Sequence, residues 1–554
     1  MRGGVAEQAQ TRLAHDRSPL ACIAGTRRRA LVVCAHLRPS RDKRRSTYYM
    51  QPITGLHIGS LIDRTRFDVR LHHEDWHGPF DPAQCEGYDL VFLTGLQPDF
   101  DRMRQLSYHF RRAGAKVVAG GSICSVFPEF ATRFFDAVCA GGVDVVPVVV
   151  ADYLRGSLRS IYRSTTTEIS RYEIDYGLFT RHGIDPILHL MEASRGCSFK
   201  CSFCVMPSEV GGHATYDLDV LAAGIDATLA ASRPFTLRRL YPLVMLLDNN
   251  FSDDREHMLR VVSLLAGHPK VRGWAALVTQ NVLADHELIA HFARSKCMLL
   301  FAGVESLDQE MLRRYNKKQN LGRSRNVIDD IAFAESRGIA LCYGFLFDPR
   351  HQTAREMERQ IQDIAADPRL PMPVYMSVIA PLAGTASFWD ELQARRLAPN
   401  LRLRDLDGET IAHVDLADDA GTIARFIERM FRRPWTVVSR TRILVKTLGR
   451  ILRARTLNPM RWYIIGGANF HCFIWSRATP DRARTYMAGT DVLDPQYGEQ
   501  PADLSDADRV RYFDPVALTD ATGAPAEWLA PYVPAVAASG QVLHDRRPLR
   551  EASA

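Results

Sequence analysis

Three cysteines, Cys197, Cys201 and Cys204, share one short stretch, Glu192-Ala-Ser-Arg-Gly-Cys-Ser-Phe-Lys-Cys-Ser-Phe-Cys-Val-Met-Pro207, just after an apolar run. Thiolates at this spacing on a tight loop can hold three corners of a cubane iron–sulfur cluster. The motif offers no fourth cysteine, so one iron is left open for chemistry. A zinc knuckle would need a further Cys or His at finger spacing, and the nearby His213 has no companion. Three structural cysteines buried in a core would not need this shared loop. The loop reads as a cluster site.

The elements around it must place that loop. A chain of 554 residues with 46% apolar content suggests two to four domains with ample cores. No uninterrupted apolar run reaches the ~18 residues a membrane span needs. Residues 1–29 are polar and Arg-rich, without the apolar centre of a secretory signal, and read as a disordered leader. The other eight of the eleven cysteines are scattered, which argues for a reducing, cytoplasmic setting rather than a disulfide framework. A net charge of +7 over this length is modest, and no nucleic-acid partner is expected.

From 30 to 162, short apolar runs alternate with helical stretches. Strands are expected at 30–35, 89–94, 116–121 and 137–140, with a helix over 52–62. This alternation predicts a parallel sheet with ligands at its carboxyl ends. A linker follows over 163–186. Six further strands, at 187–193, 243–247, 274–279, 298–304, 340–346 and 374–379, alternate with helices up to about 390. Their ends are polar in apolar surroundings: the cysteine loop, Asp248-Asn-Asn-Phe251, Gln280-Asn281, Gly303-Val-Glu-Ser306 and Pro381-Leu-Ala-Gly-Thr385. In parallel barrels, functional residues gather at such ends. Polar strand-end residues also cap helices, so Asp248 and Asn281 admit either reading.

The cysteine spacing, with Phe203 before the third cysteine, resembles the signature of the radical S-adenosylmethionine (radical SAM) superfamily. The resemblance implies Cys197, Cys201 and Cys204 as ligands of a [4Fe–4S] cluster whose open iron binds S-adenosylmethionine. It also implies reductive cleavage to a 5′-deoxyadenosyl radical, with electrons from an external flavodoxin or ferredoxin. Phe203 would lend backbone contacts to the adenine. The fold implied is an α/β chain: a Rossmann-like, cobalamin-binding-type domain, a partial (β/α)6 barrel over 187–390, and a mainly helical C-terminal region.

Residues 30–162 resemble the cobalamin domain of one branch of that superfamily. Thr94-Gly95-Leu96 and Gly120-Gly121-Ser122 resemble the elements that approach the corrin and its nucleotide tail. The Asp-x-His-x-x-Gly motif is absent; its place reads Cys34-Ala-His36, and Asp75-Trp-His77-Gly78 is a near miss. His36 is read as an ordinary loop residue. In the barrel, Asp248-Asn-Asn250-Phe251, Gly303-Val-Glu-Ser306 with Asn316-Lys317, and Pro381 to Thr385 resemble branch motifs. Ala383 stands where the pattern has a second proline. Asp248, Asn250, Gln280, Asn281 and Glu305 are thus implied as cofactor contacts, Glu305 near the ribose or amino group of S-adenosylmethionine.

Beyond the barrel, 415–433 and 436–455 read as helices in a domain over 391–500. Val437, Val438, Leu444, Val445, Leu448, Ile451 and Leu452 form one apolar face of the second helix, expected to pack on the barrel and cover its open side. Between 429 and 461 lie ten basic residues and no acidic one, which also suits an anionic substrate or a membrane surface; on a membrane, Arg442, Lys446, Arg450 and Arg453 would meet the lipid. The stretch 461–467 is expected to close over the active-site mouth. Residues 501–554 are expected to be loosely ordered.

The function this implies is cobalamin-dependent methylation of an unactivated carbon of a small molecule, anionic or membrane-associated. A radical cyclisation or rearrangement without cobalamin chemistry is a second reading, and a redox- or corrin-sensing protein a third. No residue of the sequence alone is singled out as the catalytic group.

Overall fold

The computed structural model describes residues 27–37, 53–164, 173–180, 188–209, 212–232, 236–321, 326–475, 486–490 and 500–533. The expected leader (up to residue 26) and the last part of the tail (534–554) lie outside the described residues, as does most of the linker.

The first sheet has six parallel strands: β1 (Arg28–Cys34), β2 (Phe67–His73), β3 (Leu90–Thr94), β4 (Lys116–Ala119), β5 (Ala137–Ala140) and β6 (Ile161–Arg163), in the order β2-β1-β3-β4-β5-β6. Ala30-Leu-Val-Val33 and Leu90-Val-Phe-Leu93 are buried on both faces because helices cover both sides. Two strands were not expected. β2 alternates apolar and polar residues, which suits its edge position and hides it from a search for continuous apolar runs. β6 is only three residues long. The chain passes to opposite sides of β1, so a crevice opens at the carboxyl ends of β1 and β3.

The barrel begins with β7 (Leu188–Met191), followed by the short antiparallel pair β8 (Ser194–Gly196) and β9 (His213–Thr215). Then come β10 (Leu243–Leu246), β11 (Gly273–Thr279), β12 (Cys297–Glu305), β13 (Ala340–Phe347) and β14 (Tyr375–Val378). The sheet runs β7-β10-β11-β12-β13-β14, parallel throughout, and it stays open between β7 and β14. All six expected barrel strands are present. The helices between them start on local signals, as in Ala354–Ala366, where Thr353 and Glu356 cap each other's backbone.

The C-terminal region departs from expectation in three places. Residues 500–533 are not loosely ordered; they pack on the far face of the first sheet. Tyr512, Phe513, Leu518 and Leu529 are buried there, Trp528 stacks on Phe130 at 3.9 Å, and Val516 N donates to Asp101 Oδ1 at 3.1 Å. Each buried leucine contributes about 2 kcal/mol, which outweighs the Pro- and Asp-rich composition.

The helix Pro459–Trp475 is also displaced from its expected site. Arg461 donates to the carbonyl of Gly338 and Asn469 Oδ1 accepts from Met372 N, both ahead of strands β13 and β14. The stretch around Arg461 therefore closes the amino end of the barrel and not its mouth.

Lastly, the helix Arg440–Arg453 packs on the outer helices of the barrel and does so with the wrong face. Val437 and Val438, before its start, are buried, yet Leu444, Val445, Leu448 and Leu452 point to solvent. The barrel-facing side holds Ile443, Lys446, Thr447 and Arg450. Remote partners decide this: the Lys446 ammonium reaches the carbonyl of Ile364 and Arg450 pairs with Glu335.

Candidate functional site

The cysteine loop leaves β8 at Gly196, whose φ of +90° places the position of a Cβ on the carbonyl of Gly212, so only glycine fits. The loop is then tied to three other segments at the barrel's carboxyl end. Gly196 N donates to Asn249 Oδ1 at 2.9 Å, and Ser198 Oγ to Asp253 at 2.8 Å, both beyond β10. Ser202 N donates to Tyr315 O at 3.0 Å and Asn316 Nδ2 to Lys200 O at 2.7 Å, beyond β12. Ser387 Oγ, beyond β14, donates to Ser202 O at 2.9 Å.

All three thiols are half-buried and free. Donors surround their sulfurs. Gln319 Nε2 lies 3.4 Å from Cys201 Sγ, Asn250 and the Phe199 N–H face Cys197, and the Met206 N–H faces Cys204. Burial pushes the Cys204 thiol up to about 11, with the neighbouring cysteines adding to it, and burial also raises Cys197. Thiols that crowd one another and yet sit among N–H donors suit a group that draws off their negative charge. Among the described residues no three Cys, His, Asp or Glu converge on a single-ion site. A cubane, with one thiolate per iron, does not require it.

Glu305 ends β12 in the left-handed region, at φ +62°, and pairs with Lys317. A side chain on Gly303 would sit 2.8 Å from Lys317 Nζ and 3.0 Å from Glu305 Oε1, so the G-x-E-S glycine leaves room for the ion pair. Lys317 also lies 5.7 Å above the ring of Phe203, which packs edge-on against Tyr315 at 5.6 Å. The structure thus brings Phe203, Glu305 and the cysteine loop together. Asp248 lies beneath that loop, fully buried, accepting from Ala193 N at 2.9 Å and Ser194 Oγ at 2.5 Å. Burial pushes its carboxyl up to about 7. Asn250 is buried and accepts from Ser252 Oγ at 2.7 Å. Gln280 and Asn281 open a short helix after β11; the Oε1 of Gln280 is buried without a partner among the described residues, and Asn281 accepts from Thr279 Oγ1.

In the first domain, the segments after β3 and β4 interlock. Gly121 has φ +100°, and a Cβ there would lie 2.5 Å from Gly95 O. Gly120 N donates to Leu93 O at 2.9 Å, and Thr94 and Ser122 are buried beside them. Leu96, in contrast, stands 68% exposed at the crest. This edge faces the barrel mouth. The Gln97 amide grips the Ala383 backbone from both sides, Nε2 to O and N to Oε1, each at 2.8 Å. Ser208, just past the cysteines, donates to Gly384 O at 2.7 Å, and Gly384 lies directly against Val126. Ala383, where the branch motif has proline, supplies an N–H that proline lacks.

Sequence reasoning missed a second bridge. His57, buried in the helix Ile53–Leu61, meets Arg195 Nη2 at 3.0 Å and the Tyr216 hydroxyl at 3.1 Å. Burial, and then Arg195, holds the imidazole well below its ordinary range, so it is neutral. Burial opposes the guanidinium charge of Arg195, but Glu192, paired with it at 2.8 Å, together with Tyr216 and Asp144 holds it above its ordinary range. The only hint in the sequence is that Glu192 and Arg195 adjoin the first cysteine.

No family model matches the chain. Bacteriochlorophyllide d C-8(2)-methyltransferase of Chlorobaculum tepidum is 23% identical over 412 residues, 72% of this chain and 88% of that protein. The C-12(1)-methyltransferase of the same organism is 25% identical over 356 residues, 62% of this chain and 74% of that protein. Hopanoid C-3 methylase of Methylococcus capsulatus is 23% identical over 301 residues, 52% of each chain. In three dimensions, the chain is similar to the cobalamin-dependent S-adenosylmethionine radical enzyme OxsB, solved with aqua-cobalamin and S-adenosylmethionine bound. The TM-score is 0.55 at 13% identity, over 81% of this chain and 72% of that one. In fold the chain is thus similar to a cobalamin-dependent radical SAM enzyme, and in sequence to methyltransferases. The barrel and the Rossmann-like domain meet carboxyl edge to carboxyl edge through Gln97 and Ala383. Among its described residues no helix is long and apolar enough to cross a membrane.

Proposed function

We propose that the protein is a cobalamin-dependent radical SAM methyltransferase acting on an unactivated carbon of an apolar polycyclic small molecule. The observation that carries this reading is the meeting of the two carboxyl edges, where Gln97 holds Ala383 and Glu209, just past the cysteines, meets Ser122 beside the Gly120-Gly121 turn. The substrate class is the one common to a bacteriochlorophyllide and a hopanoid, on which the relatives act.

Bound at these residues, the [4Fe–4S] cluster and S-adenosylmethionine would supply the radical and cobalamin the methyl group. The chain's own residues do the holding. Cys197, Cys201 and Cys204 would be the iron ligands. Lys317 fixes the Glu305 carboxylate, which is then oriented to accept from the ribose or amino group. Asp248 and the His57–Arg195–Glu192 bridge hold the strand beneath the loop, and Gln280 Oε1, without a partner among the described residues, offers a further acceptor. Thr94, Leu96, Gly120, Gly121 and Ser122 would line the corrin side, and an external flavodoxin or ferredoxin would deliver electrons.

The test uses protein reconstituted anaerobically with iron, sulfide and hydroxocobalamin, supplied with S-adenosylmethionine labelled in its methyl group. The expected result is 5′-deoxyadenosine together with label in a tetrapyrrole or hopanoid product. Deoxyadenosine with an isomerised, unlabelled product would favour rearrangement. Cluster and corrin uptake without cleavage would favour sensing.

A further inference from the structure

The helix Arg440–Arg453 is inside out. Its polar residues Lys446, Thr447 and Arg450 are buried against the barrel helices, with Lys446 on the carbonyl of Ile364 and Arg450 on Glu335. Its apolar residues Leu444, Val445, Leu448 and Leu452 are 58%, 68%, 59% and 70% exposed. At ~100° per residue these four fall within an arc of about 100°, one continuous stripe along the helix. Past the helix end, exposed Leu457, Trp462 and Tyr463 follow. Single exposed leucines need no explanation, but a stripe of this length marks a surface that is covered in use.

The charges around it name the cover. Arg440 and Arg442 are exposed on the two sides of the stripe, and Arg453 and Arg455 are exposed at its end. From 429 to 461 there are ten basic residues and no carboxylate; Lys446 and Arg450 are buried, and Arg429 and Arg461 are held by Glu358 and the Gly338 carbonyl, which leaves the others for the rim. A second copy of the chain would set one arginine rim against another, and the like charges would oppose the contact. An anionic bilayer meets both features at once: phosphates for the rim and the acyl boundary for the stripe.

We propose that this face seats on an anionic lipid bilayer, Leu444, Val445, Leu448 and Leu452 entering the headgroup boundary while Arg440 and Arg442 meet phosphate. The seating does not depend on the chemistry at the cysteine loop. It differs from a conventional amphipathic helix in that Lys446 and Arg450 take no part, being committed to the barrel.

Flotation of the full chain with vesicles decides it. Vesicles of phosphatidylglycerol and phosphatidylcholine should carry the protein at 0.1 M salt, and raising the salt to 0.5 M should weaken binding several-fold. Phosphatidylcholine alone should bind at least ~10-fold less. Replacing Leu444, Val445, Leu448 and Leu452 together by Ser should reduce binding at least ~10-fold with the melting temperature unchanged, since all four are exposed. Should that variant not fold, the pair Leu448→Ser and Leu452→Ser, checked by the same melt, should still lose ~3-fold or more. Arg440→Gln with Arg442→Gln should flatten the salt dependence. Three results would overturn the proposal: no binding of wild type to anionic vesicles, equal binding by a folded serine variant, or a wild-type dimer that the serine variant makes monomeric without any vesicle binding.

Discussion

Replacing Asp248 by Asn tests whether the support beneath the cysteine loop is a neutral acid. The carboxyl is fully buried, accepts from Ala193 N and Ser194 Oγ, and burial lifts it from 3.8 to about 7. An acid raised in this way stays protonated in the folded chain at pH values where the unfolded chain has released its proton. Its contribution is therefore complete below about pH 4 and is lost as pH rises through about 7. A shift of about three units at ~1.4 kcal/mol per unit sets a ceiling of about 4 kcal/mol, of which about 2 kcal/mol falls between pH 5.5 and 8.5. Asn keeps an oxygen for Ala193 N and an amide for Ser194 Oγ but cannot ionise. Asp248→Asn should thus gain on wild type by about 2 kcal/mol across that window. Urea unfolding of the anaerobic protein at three pH values, with hydrogen exchange of the peptide that includes Ala193 and Ser194 as the local readout, measures it. Parallel pH curves for the two proteins, or a variant that loses ground at pH 8.5, would refute the reasoning.

Three further expectations follow from the site. Cys197→Ala, Cys201→Ala or Cys204→Ala should each abolish reductive cleavage of S-adenosylmethionine and leave little cluster iron, whereas Cys34→Ser and Cys297→Ser should keep both; iron analysis and deoxyadenosine assays read this. Ala383→Pro removes the N–H that Gln97 accepts, which should cost about 1–3 kcal/mol at the domain junction and weaken corrin uptake, while Ala383→Ser should change neither. His36 presents its backbone N–H to Glu74 and its ring to His73 at 4.7 Å, so paramagnetic resonance of the cob(II)alamin form should lack nitrogen superhyperfine splitting, and His36→Ala should leave the spectrum unchanged.

Local sequence determined the parts whose causes are local. Each barrel strand is a mainly apolar run, so its existence shows in composition, and the polar residues that end most runs mark the mouth. The cysteine spacing likewise states its chemistry within eight residues. β2 escaped because an edge strand may alternate, and residues 500–533 because their Pro- and Asp-rich stretch gains its stability from Phe130 and Asp101, far away in the chain. Tertiary structure alone decided how the two carboxyl edges meet, since Gln97 and Ala383 become partners only when both domains are folded. It alone decided which face of Arg440–Arg453 turns inward. Periodicity shows that a helix has an apolar side, but the direction it faces depends on what its neighbours offer. Here Ile364 and Glu335 offer a carbonyl and a carboxylate, so Lys446 and Arg450 go inside and the leucines are left outside.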